Sequence, residues 1–282
     1  MTPDAQPRLW KASFPCLRLK GSGARQFLHG QTSAAIQQAP EHRLIRSCWL
    51  TATGRVQALL EVRLDPEGAE VLVLCGNAEA LATGFERVIF PADRVKITGL
   101  APQLRLQRLV PAPHPLKWAE TVLWSRNGSR PDDWDALPMA SPEQVERWRI
   151  SQGLPLSANE LNGETNPLEL GLGEWLSLEK GCYLGQETVA KLASRDGVKQ
   201  QLRCWTLHQS SPTAAAPTPG TLLLRDGDRA GVITSAVLHD NSWQGLALIR
   251  RSAFTQTSLE LSQGQQPISL HLPPSFQDCS SN

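Results

Sequence analysis

From Thr221 to Leu272 the chain repeats one pattern five times: a short apolar run, at 221–225, 230–238, 245–249, 258–262 and 267–272, followed by a turn signal. Runs of this kind, recurring between turn signals at this spacing, read as a small antiparallel β-barrel or sandwich. Ser210–Gly220, rich in Ser, Pro, Thr and Ala, reads as the linker leading into it. The polar tail after Pro273-Pro274 is expected to fray.

The N-terminal half has a different rhythm. Cys16–Lys20 alternates like a strand, and Ser22 is placed to cap a helix running through Gln31 with Phe27 and Leu28 inward. Strands are expected at Leu44–Thr51 and Arg55–Leu64 around Thr53-Gly54, and at Val71–Cys75 after the turn Asp65-Pro66-Glu67-Gly68. A helix over Asn77–Phe90 and strands at Val95–Thr98 and Leu104–Val110 complete an α+β unit with helix packed on one face of an antiparallel sheet. Residues 111–142 read as irregular apart from a strand at Thr121–Trp124, with Trp118, Trp124 and Trp134 pinning the loop. Pro142 opens a helix that Gly153-Leu154-Pro155 ends, Gln186–Ala193 reads as helix, and Val198–Leu207 as strand. At 282 residues the chain is long enough to divide its core. The expected division puts 1–46 with 138–198, inserts 47–137 as an α+β domain, and leaves 199–282 as the barrel.

Charge and cysteine usage narrow the function classes. With 28 Lys+Arg against 27 Asp+Glu the formal charge is +1, so no overall field favours nucleic acid or an anionic membrane, and any RNA connection is expected to be indirect. No run of eighteen apolar residues is present, and the N-terminal MTPDAQPRLWKASFP lacks a basic segment followed by an apolar one. A soluble, cytoplasmic, monomeric protein is expected. The six cysteines, at 16, 48, 75, 182, 204 and 279, form no CxxC pair, which argues against a zinc ribbon or ferredoxin-type cluster. The histidines show no metal-binding spacing, and neither GxGxxG nor a Walker sequence occurs.

One segment concentrates unusual chemistry: Lys180-Gly181-Cys182-Tyr183-Leu184-Gly185-Gln186-Glu187. Its two glycines allow a tight turn that presents Cys182 and Tyr183 immediately before a helix. Lys180 and the positive end of that helix would both favour a Cys182 thiolate. Tyr183, the only tyrosine, could stack on a flat heterocycle. The bland alternative is a Gly-rich turn with a buried thiol and a packed ring, and in an arbitrary sequence it is the commoner one. Glu187 in a first helical turn is favoured electrostatically whatever the function.

These residues also carry a resemblance. KGCYLGQE is similar to the KGCYxGQE signature of the YgfZ family, bacterial relatives of the mitochondrial folate-dependent iron–sulfur assembly factor. Phe27-Leu28 with Gly30-Gln31-Thr32 resembles that family's FLxGQxT, and Arg149-Ile150 with Gly153-Leu154-Pro155 its RIxxGxP. GVITS at 231–235 and GLALIR at 245–250 resemble strands of the superfamily's final barrel. The resemblance implies an aminomethyltransferase-like fold, with ferredoxin-like α/β sandwich parts around a central hole and a C-terminal β-barrel. It also implies tetrahydrofolate or a derivative in that hole, Cys182 on its rim, and a helper role in assembling or repairing iron–sulfur enzymes, including tRNA-thiolating ones. Cys182 would then act as a functional thiol, through its own chemistry, by accepting a one-carbon unit, or by transiently holding an iron–sulfur cluster.

The same superfamily holds the glycine-cleavage aminomethyltransferases, and two departures separate this chain from them. Where they carry an Asp pair, this chain reads Gly54-Arg55-Val56-Gln57-Ala58-Leu59-Leu60, without a carboxylate to position the reacting amine. They also lack the KGCYxGQE loop. Glu164-Thr165-Asn166-Pro167-Leu168-Glu169 resembles the stretch with which the transferases approach the pterin, which makes Glu164 the first candidate for cofactor recognition, Glu160 the second, and Gln31 and Tyr183 further contacts. Two rivals remain: a folate-dependent aminomethyltransferase or demethylase, and a folate-free interaction module.

Overall fold

The computed structural model describes residues 6–111, 118–208, 216–264 and 266–277. Most of the Ser210–Gly220 linker, and Cys279, lie outside the described residues. The N-terminal half is one six-stranded antiparallel sheet of β1 (Arg8–Lys20), β2 (Leu44–Leu50), β3 (Val56–Asp65), β4 (Gly68–Gly76), β5 (Lys96–Leu109) and β6 (Val122–Ser125), in the order β2-β3-β4-β1-β5-β6. β1 begins at Arg8, well before the expected start, and pairs with β5 from Arg8↔Leu109 to Lys20↔Lys96. β5 is correspondingly one strand where two were expected. Pro15 faces Pro102 across this pair, and prolines inside a run ordinarily argue against a central strand, which is why the continuity did not show in the sequence.

Helices α1 (Ala24–Gln31) and α2 (Ala78–Glu86) lie on one face of the sheet. They bury Ala24, Phe27 and Leu28, and Ala78, Leu81 and Phe85, against Leu17, Leu19, Leu60 and Val62, with Phe27 and Phe85 edge to face at 5.3 Å. Asn77 caps α2, accepting from the Ala80 amide at 3.0 Å. The expected Ser22 cap is not made: Gly23 occupies the N-cap and no side chain bonds there. α2 ends at Glu86, short of Phe90, where the chain turns into a 3-10 segment at Pro91–Asp93.

The opposite sheet face packs against the rest of the chain. Short helices α3 (Trp118–Thr121) and α4 (Asp132–Asp135) precede α5 (Pro142–Gln152), which starts with a reciprocal Ser141–Gln144 capping box and ends at left-handed Gly153. A loop-rich stretch leads to α6 (Gln186–Lys191), shorter than expected because its last turn relaxes into a π-helical turn over Leu192–Asp196. The barrel is closed, in the order β10-β7-β12-β11-β8-β9. Its strands are β7 (Gln200–His208), β8 (Leu222–Arg225), β9 (Asp228–His239), β10 (Ser242–Arg250), β11 (Ser258–Leu261) and β12 (Pro267–His271). Its interior holds Trp205, Ile233, Ala247, Ile249 and Ile268, whereas Leu202, Cys204, Leu246 and Leu248 face out into the cluster shared with Leu59, Leu72, Trp148 and Tyr183. That alternation joins barrel to sheet. The expected boundary at 46/47 falls inside β2, and β1 sits between β4 and β5, so residues 1–46 contribute to the same sheet as 47–137.

Candidate functional site

The Lys180–Glu187 loop is held to the end of α1 by its first residue. The half-buried Lys180 ammonium donates to the carbonyls of His29 (2.6 Å), Thr32 (2.5 Å) and Ala34 (2.7 Å), and lies 4.5 Å from the centre of the Tyr183 ring. Those carbonyls cluster at the negative end of the helix, where a cation is favoured. Burial of the ammonium pulls its pKa down to about 7. His29 completes the joint: its Nδ1 accepts from the amides of Ile36 (3.1 Å) and Gln37 (3.3 Å), and burial, with Lys180 nearby, lowers its pKa. The Leu184 amide donates to Gly30 O (3.3 Å), and Gln186 Nε2 returns to Lys180 O (3.0 Å), closing the loop on itself.

The loop's far end meets the β2–β3 turn. Gly185 has φ +84°, and a Cβ there would stand 2.5 Å from Thr51 O and 3.0 Å from Gly54 Cα. Only glycine fits that contact. Gly181 is different: its φ is not positive and a Cβ would meet nothing within 4 Å, so the hinge expected at both glycines exists at one. Between them Tyr183 turns inward, 6 % exposed, into the cluster of Leu168, Leu170 and Val189. Cys182 stands in solvent. The Lys180 ammonium is spent on the carbonyls of His29, Thr32 and Ala34, and the Gln186 amide opening α6 donates to Tyr183 O (3.1 Å). Glu187 pairs with Lys191 on the surface at 2.7 Å.

The other candidates are distributed around this loop. The Val56 amide donates to Thr165 O (2.9 Å), bringing 160–169 beside the β2–β3 turn. Glu164 is exposed there, and no ion pair reaches its carboxylate from another described residue. Glu160 is fully buried: it accepts from Arg149 Nη1 (3.2 Å), Ser235 Oγ (2.7 Å) and the Ser157 amide (3.1 Å), so it tethers α5 to β9 instead of facing a ligand. Glu169 is buried, its pKa raised by desolvation, and it accepts from the Asn166 amide. Gln31 lines an outer groove with Phe27, Val88, Phe90 and Arg94, a groove to which neither Glu164 nor Tyr183 contributes. The four expected folate contacts are therefore not gathered around one described cavity.

A carboxylate just beyond the segment compared with the transferases is the residue the sequence reading missed. Glu61 is 0 % exposed and saturated with donors: Trp118 Nε1 (2.6 Å), Trp124 Nε1 (2.7 Å), and Arg105 through Nε (3.0 and 3.1 Å) and Nη2 (2.9 Å). Arg105 in turn lies against the rings of Trp10, Phe14 and Trp118. This is how Trp118 and Trp124 pin their loop. A carboxylate so enclosed has no lone pair open to a substrate. Among the described residues no group of three or more His, Cys, Asp or Glu side chains is placed to hold a metal ion, and no helix is long and apolar enough to cross a membrane.

Comparison with known proteins sets this geometry in context. No family model matches the chain. A chloroplastic protein of Arabidopsis thaliana that carries a provisional transferase name is 29% identical over 265 residues, 79% of this chain and 60% of that protein. The aminomethyltransferase of Moorella thermoacetica is 35% identical over 108 residues, 38% of this chain and 28% of the relative. That of Caldanaerobacter subterraneus subsp. tengcongensis is 32% identical over 132 residues, 45% and 33%. The chain thus spans 60% or less of the length of these relatives. The solved glycine cleavage system aminomethyltransferase T of Bartonella henselae superposes with a TM-score of 0.73 at 15% identity, over 97% of this chain and 88% of that one, a likeness of fold. The chain has the aminomethyltransferase-like fold and is homologous to aminomethyltransferase-like proteins.

Proposed function

We propose that this protein binds tetrahydrofolate or a derivative and acts in the cytoplasm as an accessory factor for the assembly or repair of iron–sulfur enzymes, with Cys182 as its functional thiol. The observation that carries the reading is the loop itself. Lys180, Gln186 and Gly185 are spent on holding it to α1 and to the β2–β3 turn, and the outcome is one inward ring and one thiol in solvent. Residues held that firmly around an exposed cysteine suit presentation of the thiol to another molecule. Client iron–sulfur proteins would be that molecule, and tRNA modification would depend on them indirectly. A transient cluster would be cargo, bound through Cys182 together with ligands of the client.

The residues present fit a reduced folate in kind. A pterin offers several N–H donors on a flat ring. Glu164 supplies an exposed carboxylate on the 160–169 segment, and the buried Thr234 Oγ1 has no hydrogen-bond partner among the described residues. Bound folate would supply a carrier for one-carbon units. The chain's own part is to receive the ring and keep Cys182 at the surface.

The names of the relatives favour a second reading, aminomethyl transfer or demethylation. Against it stand the carboxylate-free stretch 54–60 and the sealed Glu61. Titration with tetrahydrofolate, read by tryptophan fluorescence, should give saturable quenching that Glu164→Gln weakens, with no formaldehyde released from methylated amines. Robust turnover would replace the accessory role by the enzymatic one, and absence of saturable quenching would leave a folate-free module.

A further inference from the structure

Three parts of the fold meet around one small cavity of about 210 Å³. The sheet contributes Arg8 and Leu109, paired with each other at the ends of β1 and β5. The barrel contributes His239 and Gln244 from the two strands of the β9–β10 hairpin. The remaining part is α5, whose Gln144, Arg147, Trp148 and Ser151 recur at i, i+3, i+4 and i+7 and so share one helix face. A packed helix ordinarily carries apolar residues along such a stripe. Here it carries an amide, a guanidinium, an indole and a hydroxyl. Trp148, 7 % exposed, is fixed there by its Nε1–H, which donates to Val110 O (2.9 Å), and Ser151 Oγ donates to Trp148 O (2.8 Å). Arg149, the next residue of α5, is turned instead to Glu160 and Ser235. None of Gln31, Glu164, Cys182 and Tyr183 lines the cavity, so it is a place apart from the proposed folate contacts.

The charge of the lining selects the occupant. Two lining side chains are guanidiniums, which stay charged at any pH the protein meets, and a third is an imidazole; among the described residues no Asp or Glu lines the cavity. Glu143 takes Nη1 of Arg147 at 3.0 Å and Asp240 lies 3.4 Å from His239 Nε2, but these carboxylates stand mostly in solvent, 67 and 77 % exposed. A guanidinium carries five N–H donors in a fixed fork, so a pairing elsewhere does not stop it from receiving an oxyanion. Two such forks suit the doubly charged head of a phosphate monoester. Leu109 and Trp148 offer an apolar wall, and the volume, below the roughly 300–1,000 Å³ of common ligand clefts, limits the rest of the ligand to a compact body.

We infer that this cavity between sheet, α5 and barrel binds a small phosphate monoester, its phosphate held by Arg8 and Arg147 and its apolar body set against Trp148. The inference is independent of folate binding and of Cys182.

The test titrates phenyl phosphate into the full chain without folate, read by isothermal calorimetry. Saturable binding with a Kd below about 1 mM is expected, and phenol, which has the ring without the charge, should not saturate. Arg8→Gln and Arg147→Gln should each weaken binding about tenfold or more, since each removes charge-assisted hydrogen bonds to the phosphate. Arg130→Gln, which alters an arginine outside the cavity, should leave the affinity unchanged. Circular dichroism melts confirm folding of each variant. If one of the two cavity variants does not fold, the other and His239→Gln, which should also weaken binding, decide the matter. Added tetrahydrofolate should not displace the probe. A Kd above about 1 mM would overturn the proposal, as would equal binding of phenol or undiminished binding by the folded cavity variants. So would displacement by tetrahydrofolate, which would assign the phosphate to the folate site.

Discussion

Lys180 and Glu61 show why single residues of this chain were hard to interpret before their neighbours were known. The acceptors of Lys180 lie 146 to 151 positions away, and the donors to Glu61 lie 44 to 63 positions away. No local pattern links such partners, so Lys180 read as an activator of Cys182 and Glu61 went unremarked. Lys180→Met leaves the carbonyls of His29, Thr32 and Ala34 without their donor, should cost about 2 kcal/mol, and should speed hydrogen exchange across 177–186. It should also remove a pH dependence. Between pH 7 and the ordinary 10.5, the unfolded chain binds a proton at Lys180 that the folded chain has released. Stability from this group therefore rises with pH across that window, and the Met variant, melted in parallel from pH 7 to 10, should lack that slope. Glu61→Gln strands the Arg105 charge in the core and should lower unfolding free energy by about 3–5 kcal/mol in urea titration, without changing folate affinity per folded molecule.

At the scale of elements, legibility followed how local each cause was. The barrel strands were readable because each apolar run and its turn lie within a dozen residues, and α5 because Pro142 and Gly153 mark its two ends. β1 and β5 were readable only over Cys16–Lys20, Val95–Thr98 and Leu104–Val110, since what makes strands of Arg8–Phe14 and Gly99–Gln103 is their pairing with each other. The signature loop falls between these cases. Its presence was plain in the sequence, while the division of labour within it came from contact with α1 and the β2–β3 turn. Gly185→Ala should therefore cost about 1–3 kcal/mol, through a left-handed backbone and a clash with Thr51 O. Gly181→Ala should stay within about 0.5 kcal/mol of wild type. Equal melting shifts for the two would contradict the assignment of the hinge to Gly185.

For the whole molecule, a sheet backed by two helices, a loop-rich middle and a closed barrel share one apolar cluster, and the signature loop is anchored where sheet and middle meet. The fold is that of the aminomethyltransferases. Rescue tests whether Cys182 is the working group of a folate-dependent helper, as we propose. In cells lacking this protein, wild type and Cys182→Ala are expressed at equal level and the activity of iron–sulfur enzymes is measured. Wild type should restore activity and Cys182→Ala should not, although the variant still quenches saturably with tetrahydrofolate; equal rescue by both would contradict the account.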